Sequence, residues 1–288
     1  MSEVAVPKGA SVWIMAARPR TLAASVAPVV VGTAAAAHVG AMRAGPAVLA
    51  LLSSLFIQIG TNFANDYSDW KRGADANRVG PRRVTQSGLV QPAVVKRAAW
   101  IAFGISALFG LALYSYAGWP ILAIGVASVA CGWLYTGGPW PLGYHGLGDL
   151  FVFVFFGLVA TCGTAYAQAL WVPPEAVMAG VAMGCLSTAI LVVNNLRDRD
   201  TDAKVGKNTL AVRLGVTGTR VEYCAFLVVA FALALALGRP WPWLALVLAL
   251  APLKRVLRQS GGALNAALGE TARMQLAFSL LLAVELWP

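Results

Sequence analysis

The chain contains 288 residues, of which 59% are hydrophobic and only 12% are charged. Soluble domains carry about 25% charged residues, so this composition excludes a water-soluble globule and points to a bilayer as the solvent. The formal net charge of +10 does not mark a nucleic-acid binder, because the basic residues are sorted by loop rather than spread over a surface.

At about 20 residues per span, the length suits about eight to ten helices in a single membrane domain, residues 1–288. Nine apolar segments are expected, at 21–40, 46–66, 98–117, 120–136, 148–170, 175–195, 221–237, 241–257 and 268–286. The fold class is therefore all-α integral membrane, since the apolar runs are continuous rather than two-periodic and no β-barrel pattern competes.

The first segment is entered from Arg18 and Arg20. It is too long for the h-region of a signal peptide and further spans follow, so a retained helix is expected. The second runs into Asn62-Phe-Ala-Asn-Asp-Tyr-Ser-Asp69 and then a basic loop containing Asp75. Between the fourth and fifth lies a Gly- and Pro-rich stretch from Leu134 to Asp149 that carries no Lys or Arg. The sixth ends in Asn194-Asn-Leu-Arg-Asp-Arg-Asp-Thr-Asp202, again followed by a basic loop. Cys131, Cys162, Cys185 and Cys224 fall singly in apolar stretches, without redox or metal-ligand spacing.

Seven Lys/Arg lie between residues 71 and 97, six between 197 and 220, and three between 254 and 258, whereas the alternate connections hold almost none. By the positive-inside rule the basic loops and the N-terminus are cytoplasmic, as in a bacterial cell membrane, and the C-terminus is outside. Trp13, Trp70, Trp119, Trp140, Trp171, Trp241, Trp243 and Trp287 sit near expected span ends, as an interfacial belt requires.

Six of the twelve acidic residues fall in the two clusters, at Asp66, Asp69, Asp75, Asp198, Asp200 and Asp202. Carboxylates beside hydrocarbon are costly and mark function by default. On a helix, Asn62, Asn65, Asp66 and Asp69 share one face, with neighbouring Cβ atoms about 5–6 Å apart; Asn194, Asp198 and Asp202 share another. Four spans separate the clusters, so both open to the same side. Such oxygens suit Mg²⁺, with water and phosphate completing the octahedron. A solvated acidic face and a cation pathway are the competing readings. The first does not explain why the acids concentrate at two helix ends beside Asn; the second favours carboxylates at mid-membrane.

The surrounding cations fit a diphosphate. Lys71, Arg72, Arg78, Arg82 and Arg83 follow the first cluster; Lys204, Lys207 and Arg213 follow the second. Arg18 enters from the same side. In the Gly/Pro stretch, Tyr135 and Tyr144 are placed to orient substrate. Asp149 is either a metal or proton ligand or a helix-dipole charge. His145 reads as a solvated loop histidine.

These stretches resemble the UbiA superfamily of intramembrane prenyltransferases, and most closely its menaquinone-pathway branch acting on 1,4-dihydroxy-2-naphthoate. The resemblance rests on Ala17-Arg-Pro-Arg-Thr-Leu22, Asn65-Asp-Tyr-Ser-Asp-Trp-Lys-Arg-Gly-Ala-Asp75, Arg78-Val-Gly-Pro-Arg82, Tyr135-Thr-Gly-Gly-Pro139, Gly146-Leu-Gly-Asp-Leu-Phe-Val-Phe153, the Asn194–Asp202 run and Gly206-Lys-Asn-Thr-Leu-Ala-Val-Arg-Leu-Gly215. It implies nine helices around a central cavity, with Mg²⁺ as cofactor on Asp66, Asp69, Asp75, Asp198 and Asp202. It implies as substrates a polyprenyl diphosphate and an aromatic acceptor, joined with loss of CO₂ and diphosphate. Asn62, Asn65, Arg18, Lys71, Arg72, Arg82, Tyr135, Asp149, Asn194, Lys204 and Lys207 are the expected substrate-binding set. Members of the superfamily can place a Lys shortly after the tyrosine matching Tyr135; here Gly and Pro stand there, and the role passes to Arg82 or Lys207. Competing acceptors are 4-hydroxybenzoate, homogentisate and the haem vinyl group. A cation-coupled transporter is the alternative of another class, and the Asp-Gly-x-x-Ala-Arg run of CDP-alcohol phosphatidyltransferases is absent. The bilayer is the only partner expected beside the substrates, with no obligate protein partner.

Overall fold

A computed structural model describes residues 9–76 and 79–288, with every side chain among them except that of Arg20. Arg78 thus lies outside the described residues. The helices are α1 (Ala10–Ala17), α2 (Pro19–His38), α3 (Ala44–Lys71), α4 (Pro92–Ala117), α5 (Trp119–Leu134), α6 (Gly148–Phe153), α7 (Ala160–Ala169), α8 (Pro174–Lys204), α9 (Leu210–Ala236), α10 (Leu246–Arg258) and α11 (Asn265–Leu286). No strand occurs among the described residues.

Proline marks several helix starts. Pro19, Pro92, Pro120 and Pro174 occupy the first turns of α2, α4, α5 and α8, where a missing N–H breaks no helical bond. Pro28 and Pro252 lie inside helices. The rod Gly148–Ala169 comprises α6 and α7 joined by a π turn, Val154–Val159. Helix α9 begins eleven residues before the expected segment and breaks at Gly215, whose φ of 68° and ψ of −175° leave the helical region.

Seven of the described helical segments are long and apolar enough to cross a membrane: Thr21–His38, Ala44–Lys71, Pro92–Ala117, Gly148–Ala169, Pro174–Lys204, Leu210–Ala236 and Gly261–Leu286. The other two apolar segments form shorter helices. Helix α5 has 16 residues, and α10 has 13 and carries Lys254, Arg255 and Arg258. Nine full spans are therefore not established. Helix α1, absent from the sequence expectation, is a short apolar helix leading into α2.

Helix α8 is the most enclosed span, with 78% of its apolar window buried, and it packs against α2, α6, α7, α9 and α11. Its approach to the α6–α7 rod depends on glycine. A Cβ on Gly157 would stand 2.4 Å from the Gly184 Cα and 2.6 Å from the Gly180 carbonyl oxygen, a small-xxx-small contact that lets two backbones meet. One core joins α2, α8, α9 and α11 around Met183, Leu186, Tyr223 and Phe278; another joins α1, α3 and α4 around Phe63, Val95 and Phe103. Outward-facing Leu108, Val126, Val228, Val247 and Leu250 are exposed, the lipid-facing surface of an integral membrane protein.

Candidate active site

A cavity is lined by residues of α2, α3, α4, α5, the α6–α7 rod and α8. Its lining on α3 runs from Ala50 to Asp69, a helical rise of about 28 Å at 1.5 Å per residue, close to the thickness of the hydrocarbon layer. The deep walls are apolar, including Ile57, Leu113, Ile121, Ile124 and Phe155. Polar groups gather at one end, where Arg18, Asn62, Asn65, Asp69, Arg83, Tyr135, Asn194 and Lys207 all face it.

Both acidic helix ends come to that end. Arg83 is buried and donates to Asp69 at 2.7 Å, with Asp75 at 3.4 Å. Burial opposes its charge, but Asp75, Asp69, Asp66 and, from α8, Asp198 outweigh that and raise its pKa. Tyr144 donates its hydroxyl to Asp69 at 2.9 Å. Burial, then the charge of Asp69 and more weakly that of Asp202, pushes the Tyr144 pKa up. Tyr135 is pushed up by burial and by Asp149, Asp69 and Asp202. Both phenols therefore remain neutral, and Tyr144 acts as a donor to Asp69.

The remaining candidates divide by what they touch. The Asp66 carboxylate accepts the backbone N–H groups of Val84 and Thr85, both at 3.1 Å, and so fixes the turn that presents Arg83. Asn62 donates its amide to the Ala17 carbonyl at 2.9 Å and the Thr21 hydroxyl at 3.0 Å. That clamps the α1–α2 junction, where Arg18 has the left-handed φ of 55°. Asn65 accepts from Thr136 at 2.7 Å. On α8, buried Arg197 grips both oxygens of Asp198 at 2.8 and 2.6 Å and reaches Asn194 at 2.8 Å. Lys207 lies 3.4 Å from Asp202 and 5.5 Å from the Tyr144 ring centre.

Residues 135–149 form a strap over this end. Arg72, the residue that follows α3, donates to the carbonyls of Thr136 and Gly138, Arg213 of α9 donates to that of His145, and the Asn208 N–H bonds the Tyr144 carbonyl. The strap is thus tied to the end of α3, to the α8–α9 connection and to α9, and it takes the cations Arg72 and Arg213 from outside itself. Asp149 is buried at the start of α6 and does not line the cavity. Lys71, Arg82 and Lys204 are exposed and also lie outside the lining. The cation that the loop after α3 contributes to the cavity is Arg83 rather than Arg82. Arg197 had no assigned role in the sequence reading, although its place inside the second acidic run was a signal.

The donor set suits a hard divalent cation in kind, being oxygen throughout, with a buried Asp202 Oδ2 that has no hydrogen-bond partner among the described residues. No three acidic, His or Cys side chains among the described residues converge on one point. Arg83 and Arg197 sit on Asp69, Asp75 and Asp198, so an ion would take these oxygens in exchange for guanidinium.

A family profile described as the UbiA prenyltransferase family matches residues 25–277. The 1,4-dihydroxy-2-naphthoate octaprenyltransferase of Mycobacterium tuberculosis is 50% identical over 218 residues, spanning 76% of this chain and 75% of that protein. The enzyme of the same name from Escherichia coli is 40% identical over 223 residues, spanning 75% and 72%. A UbiA homolog from Archaeoglobus fulgidus, solved with GPP and Mg²⁺, superposes with a TM-score of 0.62 over 95% of this chain and 99% of that one at 15% identity, a likeness of fold.

Proposed function

The chain belongs to the UbiA prenyltransferase family, and from that premise we propose that it moves a polyprenyl chain from polyprenyl diphosphate to 1,4-dihydroxy-2-naphthoate in menaquinone synthesis. The allylic C–O bond breaks, the ring carbon bearing the carboxyl group attacks, and CO₂ and diphosphate leave. One observation carries the chemistry: Asp69 and Asn194, from the two acidic helix ends, line one end of a largely apolar cavity about as long as the membrane is thick together with Arg83 and Lys207, and Asp75 and Asp202 stand on those two cations. The acceptor is carried by the relatives of that name.

Asp66, Asp69, Asp75, Asp198 and Asp202 would hold Mg²⁺, which when bound neutralises the diphosphate and makes it a better leaving group. Arg83 and Lys207 line the cavity beside Asp69 and would bind phosphate oxygens as charge-assisted donors. Tyr144 and Tyr135 orient the same group through neutral hydroxyls. Phe151, Phe155 and Phe156 on the α6 side line the cavity and offer ring faces to an allylic cation while excluding water. The deeper apolar wall takes the tail, at about 0.8 kcal/mol per buried CH₂. The positive-inside pattern supports a cytoplasmic mouth and N-terminus.

The test is an acceptor panel: membranes containing the protein, a polyprenyl diphosphate and, in turn, 1,4-dihydroxy-2-naphthoate, 4-hydroxybenzoate and homogentisate. Prenylation of the naphthoate alone is expected. Prenylation of 4-hydroxybenzoate or homogentisate alone overturns the acceptor assignment.

A further inference from the structure

A second pocket opens on the other side of Tyr144. Arg72, Tyr144, His145, Gly206, Asn208 and Arg213 are among its walls, and no acidic side chain among the described residues lines it. The Tyr144 ring carries the Arg72 guanidinium 5.3 Å from its centre and the Lys207 ammonium at 5.5 Å. Its hydroxyl is bonded to Asp69 in the main cavity. Tyr144 is therefore the wall between the acidic site and a basic chamber.

The donors of this chamber exceed what the strap uses. Arg213 donates one N–H to the His145 carbonyl, and its guanidinium lies against Gly146, where a Cβ would be 2.9 Å from Cζ. A guanidinium has five N–H groups in a planar fork suited to phosphate oxygens. Asn208 is exposed and spends its backbone N–H on Tyr144, so its side chain adds a further polar group to the wall. Two arginines, with no acidic side chain among the described residues that line the pocket, attract a multiply charged anion, whereas Lys207 behind Tyr144 is already paired with Asp202.

We propose that this pocket is a metal-independent site for a phosphate-bearing anion, separate from the acidic site. Two sources share that chemistry. One is the inorganic diphosphate released at Asp69 on the far side of Tyr144, which rests on the prenyl-transfer reading above. The other is the headgroup of an anionic phospholipid at the membrane surface.

The experiment uses the full chain in phosphatidylcholine nanodiscs with EDTA present, titrated calorimetrically with inorganic diphosphate. One site is expected, weakened about tenfold or more by Arg213→Ala and by Asn208→Asp, since each alters a charge in the pocket. Asp198→Asn should leave it intact. Both pocket variants are at exposed positions, and Asn208→Asp retains the backbone bond to Tyr144. Binding that persists in discs containing phosphatidylglycerol assigns the pocket to the free anion, and displacement there assigns it to the headgroup. No binding in EDTA, or binding that both pocket variants leave unchanged, overturns the proposal. Prenyl transfer is measured separately, so its absence would refute the enzymatic reading without deciding the pocket.

Discussion

Arg83 and Asp69 form an ion pair of 2.7 Å in which the side chains are only 5% and 2% exposed. Such a pair adds little net stability when complete, because desolvation offsets the attraction, but removing one partner strands a buried charge. Here the same guanidinium also serves Asp75, so its loss is felt twice.

Arg83→Met should therefore lower stability by about 3–5 kcal/mol and reduce turnover. Thermal unfolding of the purified protein in detergent checks the first effect. Adding Asp69→Leu to Arg83→Met should recover part of the stability while leaving the enzyme inactive, and an additive further loss would refute the coupling.

Asn62 separates two roles. As the structure has it, the residue donates to Ala17 and Thr21, so Asn62→Asp should be more harmful than Asn62→Ala. It replaces a donor with an acceptor facing a carbonyl, at a cost of about 1–3 kcal/mol. Were Asn62 a metal ligand, the aspartate would preserve or improve activity. Comparing kcat and unfolding temperature for the two variants decides between them.

The spans were legible because their apolar runs are long and Pro, Gly and charge punctuate them. Helix α1 was not, since eight residues give too short a pattern. The extension of α9 back to Leu210 was hidden because Arg213 and Gly215 interrupt the apolar run. Within the site, helical spacing placed Asn62, Asn65, Asp66 and Asp69 on one face; Asn62, Asn65 and Asp69 line the cavity, whereas Asp66 turns to the Val84 and Thr85 amides. Their partners were not legible. Arg82 and Arg83 are neighbours with identical chemistry, and only the turn held by Asp66 decides which one enters. The bond from Tyr144 to Asp69 joins positions 75 residues apart, a relationship that no local pattern carries.

Asp66→Ala and Asp198→Ala should each lower turnover by about 10²-fold or more while the protein still inserts into membranes. The two should differ in stability. Asp66→Ala releases the Val84 and Thr85 amides, loosening the Arg83 turn. Limited proteolysis should therefore cut the 79–90 loop faster in Asp66→Ala than in Asp198→Ala. Equal protection of that loop in both variants would argue against the capping role.

Gly157→Leu should fail to yield folded protein, and Gly157→Ala should cost about 1–3 kcal/mol through overpacking against α8. The nearest atoms are backbone atoms of Gly180 and Gly184, which cannot rotate away. Unfolding temperatures matching the parent for Gly157→Ala would contradict this contact.

Proteoliposomes holding the purified protein, a polyprenyl diphosphate and 1,4-dihydroxy-2-naphthoate offer the most direct measurement. Equal amounts of prenylated quinol, CO₂ and diphosphate are predicted with Mg²⁺, with all three lost in EDTA and in the Asp66→Ala and Asp198→Ala proteins. Undiminished product under any of those conditions, or ion flux with no prenylated product, would contradict the account.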